Sequence, residues 1–171
     1  LTLEAFSESS AIYQLSERFR GHAGTGIFEF IRELDRGTPN FTQSFGKDVS
    51  IEKWDTSDPK GLFKRINKIK NHYHTLVKFP LHEILLLFTS NLVSGNLASP
   101  KVFDELLHPE FTPLSKQNIG DDQNTVKYAT CLKCKGLEKS VVLLVVEKSE
   151  NLALLYHQIY IGATRAKCNI H

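Results

Sequence analysis

The sequence predicts an α/β domain with a mostly parallel sheet flanked by helices. Three observations predict it. Strand-sized apolar runs alternate along the chain with segments of helical periodicity. The runs at residues 84–88 and 141–146 are almost continuously apolar, as strands covered on both faces are. The 171 residues show no internal repeat and no low-complexity tract, which fits one domain spanning 1–171, with a possible small insertion or flexible loop around 109–124.

Each element has its own local reason. Residues 11–15 form a short apolar run, and Ile27, Phe30, Ile31 and Leu34 then fall on one face of a helix. The run Gly37-Thr38-Pro39-Asn40 stops that helix. Residues 49–54 alternate apolar and polar, as a half-buried strand does. Ser57 or Asp58 can cap the next helix, with Pro59 at its first position and Leu62, Ile66, Ile69 and Tyr73 on its apolar face. Residues 84–88 form a strand. Ser99 caps a short helix carrying Val102, Phe103, Leu106 and Leu107, and residues 118–124 form a polar turn region. Strands follow at 125–130 and 141–146. Leu152, Leu155, Tyr156, Ile159 and Ala163 make a helical stripe, and a short strand is expected at 168–170. Phe28, Phe30 and Phe63 are expected in the core, and no aromatic is assigned to base stacking.

Composition narrows the function classes. Hydrophobic residues make up 41% and charged residues 23%, enough apolar surface for a core. With 21 Lys+Arg against 19 Asp+Glu the chain is near neutral, so nucleic-acid contact requires a local patch. No apolar run approaches the ~20 residues that span a bilayer, and no leader pattern is visible. Three cysteines suit a reducing, cytoplasmic setting better than a disulfide framework. The chain starts at Leu1 and lacks methionine, so it is expected to be a piece of a longer polypeptide.

Several apparent motifs have plainer explanations. The run Gly21-His-Ala-Gly-Thr-Gly26 resembles a phosphate loop, but the lysine and hydroxyl residue that should follow are replaced by Ile27 and Phe28. Cys131 and Cys134 have zinc or redox spacing, and Cys168 with His171 could complete four ligands; the plainer reading is two small residues at a strand end, and no metal is assigned. His72 and His74 fit a solvated helix terminus, where cations are favoured. There is no Gly-x-Ser-x-Gly, no His-Glu-x-x-His and no marked carboxylate pair.

Three ordered segments point further: Leu15-Ser-Glu-Arg-Phe-Arg20; Thr130-Cys-Leu-Lys-Cys-Lys-Gly-Leu-Glu138, running into the strand at 141–145; and Tyr160-Ile-Gly-Ala-Thr-Arg-Ala-Lys167. Together they resemble the C-terminal half of superfamily 1 helicases of the UvrD/Rep type. In that family the motifs read approximately Leu-x-x-Asn-Tyr-Arg, Thr-x-His-x-x-Lys-Gly-Leu-Glu and Tyr-Val-Ala-x-Thr-Arg-Ala-Lys. The resemblance covers nearly the whole chain, and the third segment is the most specific.

The resemblance implies a RecA-like second motor domain without its own phosphate loop, in an ATP-dependent DNA helicase or translocase. Arg20 and Arg165 match the family's phosphate-contacting arginines. Glu138 matches the position used at the nucleotide sugar, and Gly136 sits where backbone approaches nucleotide or packs within the motif loop. Thr130, Lys133 and Lys135 match the nucleic-acid contacts. ATP with Mg2+ would be held mainly by an N-terminal RecA-like domain of the same polypeptide. Single-stranded DNA is the implied partner, with RNA as an option and no membrane. Arginine suits the phosphate role because its planar fork stays charged and binds two oxygens.

Three departures matter. Leu132 stands where the family has His, Arg18 stands where it has Asn, and the first two motifs are separated by only about 110 residues, which implies a compact domain. Leu132 leaves open a second reading, a non-hydrolysing nucleic-acid or protein binding module that keeps the helicase fold. A zinc- or redox-linked domain built on Cys131, Cys134 and Cys168 is a third.

Overall fold

The central strand β1, Ile84–Phe88, is a run of five apolar residues, none more than 3% exposed. Such a run needs cover on both faces, and both faces have it. Leu85 and Leu87 point into one cluster with Ile27, Phe30, Leu34 and Ile159. Ile84, Leu86 and Phe88 point into another with Phe63, Ile66 and Tyr73. The computed structural model describes residues 26–37, 39–54, 58–89, 109–119, 124–134, 136–147 and 149–171. Residues 11–15, Arg18, Arg20, Ser57, the helix expected after Ser99 and Lys135 lie outside the described residues.

Among the described residues five strands form one wholly parallel sheet: β1, β2 (Phe111–Pro113), β3 (Val126–Thr130), β4 (Lys139–Val145) and β5 (Ala166–Ile170), in the order β2-β3-β1-β4-β5. Helices α1 (Gly26–Asp35) and α3 (Leu152–Ala163) cover one face, and α2 (Pro59–Asn71) covers the other. This is an α/β fold, as the alternation predicts. Among the described residues no helix is long and apolar enough to cross a membrane.

Local chemistry sets the helix ends. Gly26 opens α1 against the Phe45 carbonyl, so closely that a Cβ there would sit 1.5 Å from that oxygen. Gly37 ends the following turn at φ +73°. Asp58 caps α2, its carboxylate accepting from the Gly61 amide at 2.9 Å, with Pro59 in the first turn. Asn151 caps α3 in the same way, accepting from Leu154 at 3.0 Å. His72 and His74 continue α2 into a π-helical turn, His72–Leu76, where His74 Nδ1 lies 2.9 Å from the Phe79 carbonyl oxygen.

Four expectations need correction. Residues 49–54 are not a strand: Val49 makes one parallel bridge to Ile170, and the chain then leaves the sheet, exposing Ile51 and Trp54. Strand β2, which lies at Phe111–Pro113 where no strand is expected, pairs with β3 and carries its proline at an edge position. The fourth strand starts at Lys139 and the fifth at Ala166, both earlier than expected. Leu152 is 53% exposed and does not belong to the buried stripe of α3.

Candidate functional site

Parallel strands set all carboxyl ends at one edge and all amino ends at the other. Thr130 ends β3, level with Phe88 at the carboxyl end of β1. Lys139 begins β4 and pairs with Ala166 at the amino end of β5. Residues 131–138 join these edges and step past β1 in eight residues, where parallel crossovers usually take a dozen or more. A 3-10 helix, Cys131–Cys134, forms the first half. Both cysteines are buried, and a Cβ on Gly162 would lie 3.1 Å from Cys131 Sγ. Gly162 therefore admits the connection against α3. Gly136 then turns the chain at φ +83°, a conformation that favours glycine, and a Cβ there would meet nothing within 4 Å.

The second and third motif segments meet at the amino edge. The Lys139 amide donates to the Arg165 carbonyl at 2.9 Å, which sets Glu138 beside the turn carrying Arg165. The Arg165 guanidinium folds back on the end of α3: Nε donates to the Ile161 carbonyl at 3.2 Å, and Nη2 donates to Thr164 Oγ1 at 2.9 Å. Thr164 is 1% exposed, and its hydroxyl donates to Ile161 O at 2.9 Å. A cation at this end of a helix is also favoured by the macrodipole. Thr164 was part of the quoted motif, but nothing in its sequence position indicated that it braces the arginine.

The surroundings of Arg165 are part-buried. Burial pushes the Cys134 thiol up to about 11, with Arg165 nearby opposing the shift. Burial and the Asp35 carboxylate raise Tyr160, again against Arg165. On the same edge, Glu83 accepts from the Ser140 amide at 3.0 Å and from its hydroxyl at 2.6 Å, and Lys139 Nζ lies 3.9 Å away. Burial opposes ionisation of Glu83, and these partners outweigh it, holding the carboxyl below its usual range.

Thr130, Leu132 and Lys133 are at the other edge. Thr130 is half-buried, while Lys133 and the departing residue Leu132 are exposed, Leu132 at 46%. Phe30 and Phe63 are core residues, and Phe28 is half-buried. An apolar cavity of about 240 Å³ lies between Trp54, Leu62 and Val145, and Arg165 and Glu138 do not line it. Among the described residues no group of three or more His, Cys, Asp or Glu is placed to hold a metal ion.

No protein-family model matches the chain, and no curated protein matches it. The fold puts a braced arginine at one edge of the sheet, its backbone joined to Lys139 just after Glu138, and a hydroxyl and a lysine at the other.

Proposed function

We propose that this chain is the second RecA-like motor domain of a superfamily 1 DNA helicase or translocase, working in the cytoplasm on single-stranded DNA. The observation that carries the reading is the junction of Lys139 with Arg165. It brings the backbone that carries Glu138 next to the turn that carries a pre-oriented guanidinium, and a nucleotide offers a sugar hydroxyl to the one and a charged phosphate tail to the other. Arg165 would meet charge on the phosphates, and Glu138 would accept from the sugar. Arg20 is the proposed second arginine. A bound ATP–Mg2+ supplies the transferable phosphoryl group, and the N-terminal motor domain would hold it. Thr130, Lys133 and Lys135 would contact the strand.

The donor set fits a nucleotide, since arginine matches phosphate in geometry and charge. This chain carries no phosphate-loop lysine, so it is expected to hydrolyse no ATP unaided. The deciding experiment is ATP hydrolysis by the full-length protein, with and without single-stranded DNA, for wild type and Arg165→Ala. DNA-stimulated activity that collapses in the variant supports the motor. Activity indifferent to both DNA and Arg165 overturns it.

A second reading has its own observation. Leu132, exposed in place of a polar residue, removes a contact from the strand-binding motif. A domain that binds nucleic acid or protein without hydrolysis would tolerate that loss.

A further inference from the structure

Helix α2 carries a second electrostatic feature, on the opposite face of the sheet from Arg165. Five of its thirteen residues are basic and none is acidic, in a chain that is otherwise nearly balanced. Two of the five are neutralised within the fold. Arg65 pairs with Glu52, and the buried Lys70 pairs with Glu110. The other three, Lys60, Lys64 and Lys68, are exposed, and among the described residues none of them is in an ion pair. They recur every fourth residue, so they line one side of the helix about 6 Å apart.

This stripe works against the helix that bears it. Like charges four residues apart repel. Lys60 also lies in the first turn, where the positive end of the macrodipole disfavours a cation, and the carboxylate at that end, Asp58, is engaged in capping the Gly61 amide. A helix selected only to cover the sheet would gain from mixed signs on its solvent face. At the amino-terminal end of the stripe stands Trp54, 41% exposed. Its indole Nε1 donates to the Asp58 carbonyl at 3.1 Å, and its ring lies so close that a Cβ on Gly61 would come within 2.9 Å of it. The ring is thus held against the first turn of α2 with part of its surface open.

We propose that the Lys60–Lys64–Lys68 side of α2, together with Trp54, is a second docking track for single-stranded nucleic acid, separate from the one at Thr130 and Lys133. The lysine repeat of about 6 Å is close to the separation of neighbouring phosphates along one strand, so successive lysines can meet successive phosphates. A fixed, exposed indole offers a stacking face that only an unpaired base can use, which selects a single strand over a duplex. Charge complementarity supplies the affinity, and stacking supplies the preference.

The test uses the 171-residue chain and a labelled oligo-dT, with anisotropy as the readout and quenching of Trp54, the chain's one tryptophan, as a local report. The variant Lys60→Gln/Lys64→Gln/Lys68→Gln is compared with Lys116→Gln, an exposed lysine elsewhere. The triple variant is expected to bind about 100-fold more weakly at 0.1 M salt, with the slope of log K against log salt reduced by about 2. Trp54→Phe is expected to weaken binding by about tenfold. Thermal melts check that the variants fold. Binding that the triple variant leaves unchanged overturns this track and spares the one at Thr130. Equal affinity for a duplex, or for polyglutamate, overturns the assignment of the occupant. No binding at all overturns both tracks and leaves the proposal for Arg165 to be judged by hydrolysis.

Discussion

The amide of Lys139 donates to the carbonyl of Arg165 at 2.9 Å, and that bond joins two segments far apart in the chain. It fixes the start of β4 to the turn after α3. The side chain of Arg165 is held separately by Thr164 and Ile161. Backbone and guanidinium are therefore positioned by independent contacts, so each can be tested without the other.

In the full-length protein, Arg165→Ala is expected to lower DNA-stimulated ATP hydrolysis by about 100-fold or more. Arg165→Lys should recover little, because an ammonium cannot reproduce the fork. Thr164→Val keeps the volume and removes the brace, so about a tenfold fall in kcat is expected, with KM nearly unchanged and Thr164→Ser close to wild type. Equal rates for Thr164→Val and wild type would show that the hydroxyl only caps the helix.

Gly26→Ala would normally help a helix by about 1 kcal/mol. Here the added Cβ would lie 1.5 Å from the Phe45 carbonyl oxygen. The backbone must shift, and a net loss of about 3 kcal/mol is expected in urea denaturation. A stabilised variant would show that α1 does not begin against Phe45.

Thiol reactivity should divide sharply. Burial pushes Cys131 up to about 12 and Cys134 up to about 11, whereas Cys168 is exposed. Of the chain's three cysteines, one is expected to react with a thiol reagent in the native protein and all three after unfolding. Rapid reaction of a second thiol in the native state would contradict the buried connection between β3 and β4.

Stability should fall on the acid side in two stages. Burial lowers the His171 imidazole below its ordinary 6.5, so the unfolded chain takes up a proton there before the folded chain does. That contribution is complete above pH 6.5 and is lost as pH falls below it. Glu52, held low by its bond from Arg65, and Glu83 are depressed below 4.5, and their contributions are lost further down. Tm should be flat from pH 7 to 8 and decline below about 6.5. Glu83→Gln should remove part of the decline below 4.5 and leave the upper limb unchanged. A Tm that rises between pH 7 and 5.5 would show that His171 is not buried as a neutral ring.

Periodicity revealed what burial imposes on local sequence. The stripe Ile27, Phe30 and Leu34 and the run Ile84–Phe88 were legible because each answers to a fixed apolar surface. Strand β2 was hidden because three residues ending in Pro113 carry no period. Residues 49–54 misled because their alternation arises outside the sheet: Val49 packs into the core, while Ile51 and Trp54 are exposed beyond it. Arg165 and Glu138 came from resemblance to a family motif, and the meeting of their two backbone segments is a tertiary fact, set by the pairing of β4 with β5. The lysines of α2 stand in the sequence, but that they have no ion-pair partner among the described residues is a tertiary fact. Arg65 and Lys70 look the same in sequence and are spoken for by Glu52 and Glu110.

The place of β1 in the sheet also governs how the chain can be made. Both of its neighbours, β3 and β4, follow it in sequence. A ribosome adding about 5–20 residues per second needs several seconds to reach the end of β4, roughly 60 residues later. For roughly the first 40 of those residues, until Val126–Thr130 is made, five consecutive apolar residues, Ile84–Phe88, have neither of their sheet partners. A nascent chain halted there presents a strand with high β-propensity, no charge and no proline, the kind of segment that pairs with its own copies. Truncations ending before Val126 are therefore expected in inclusion bodies, and slow translation between Thr89 and Val126 would be more harmful than slow translation after Val145.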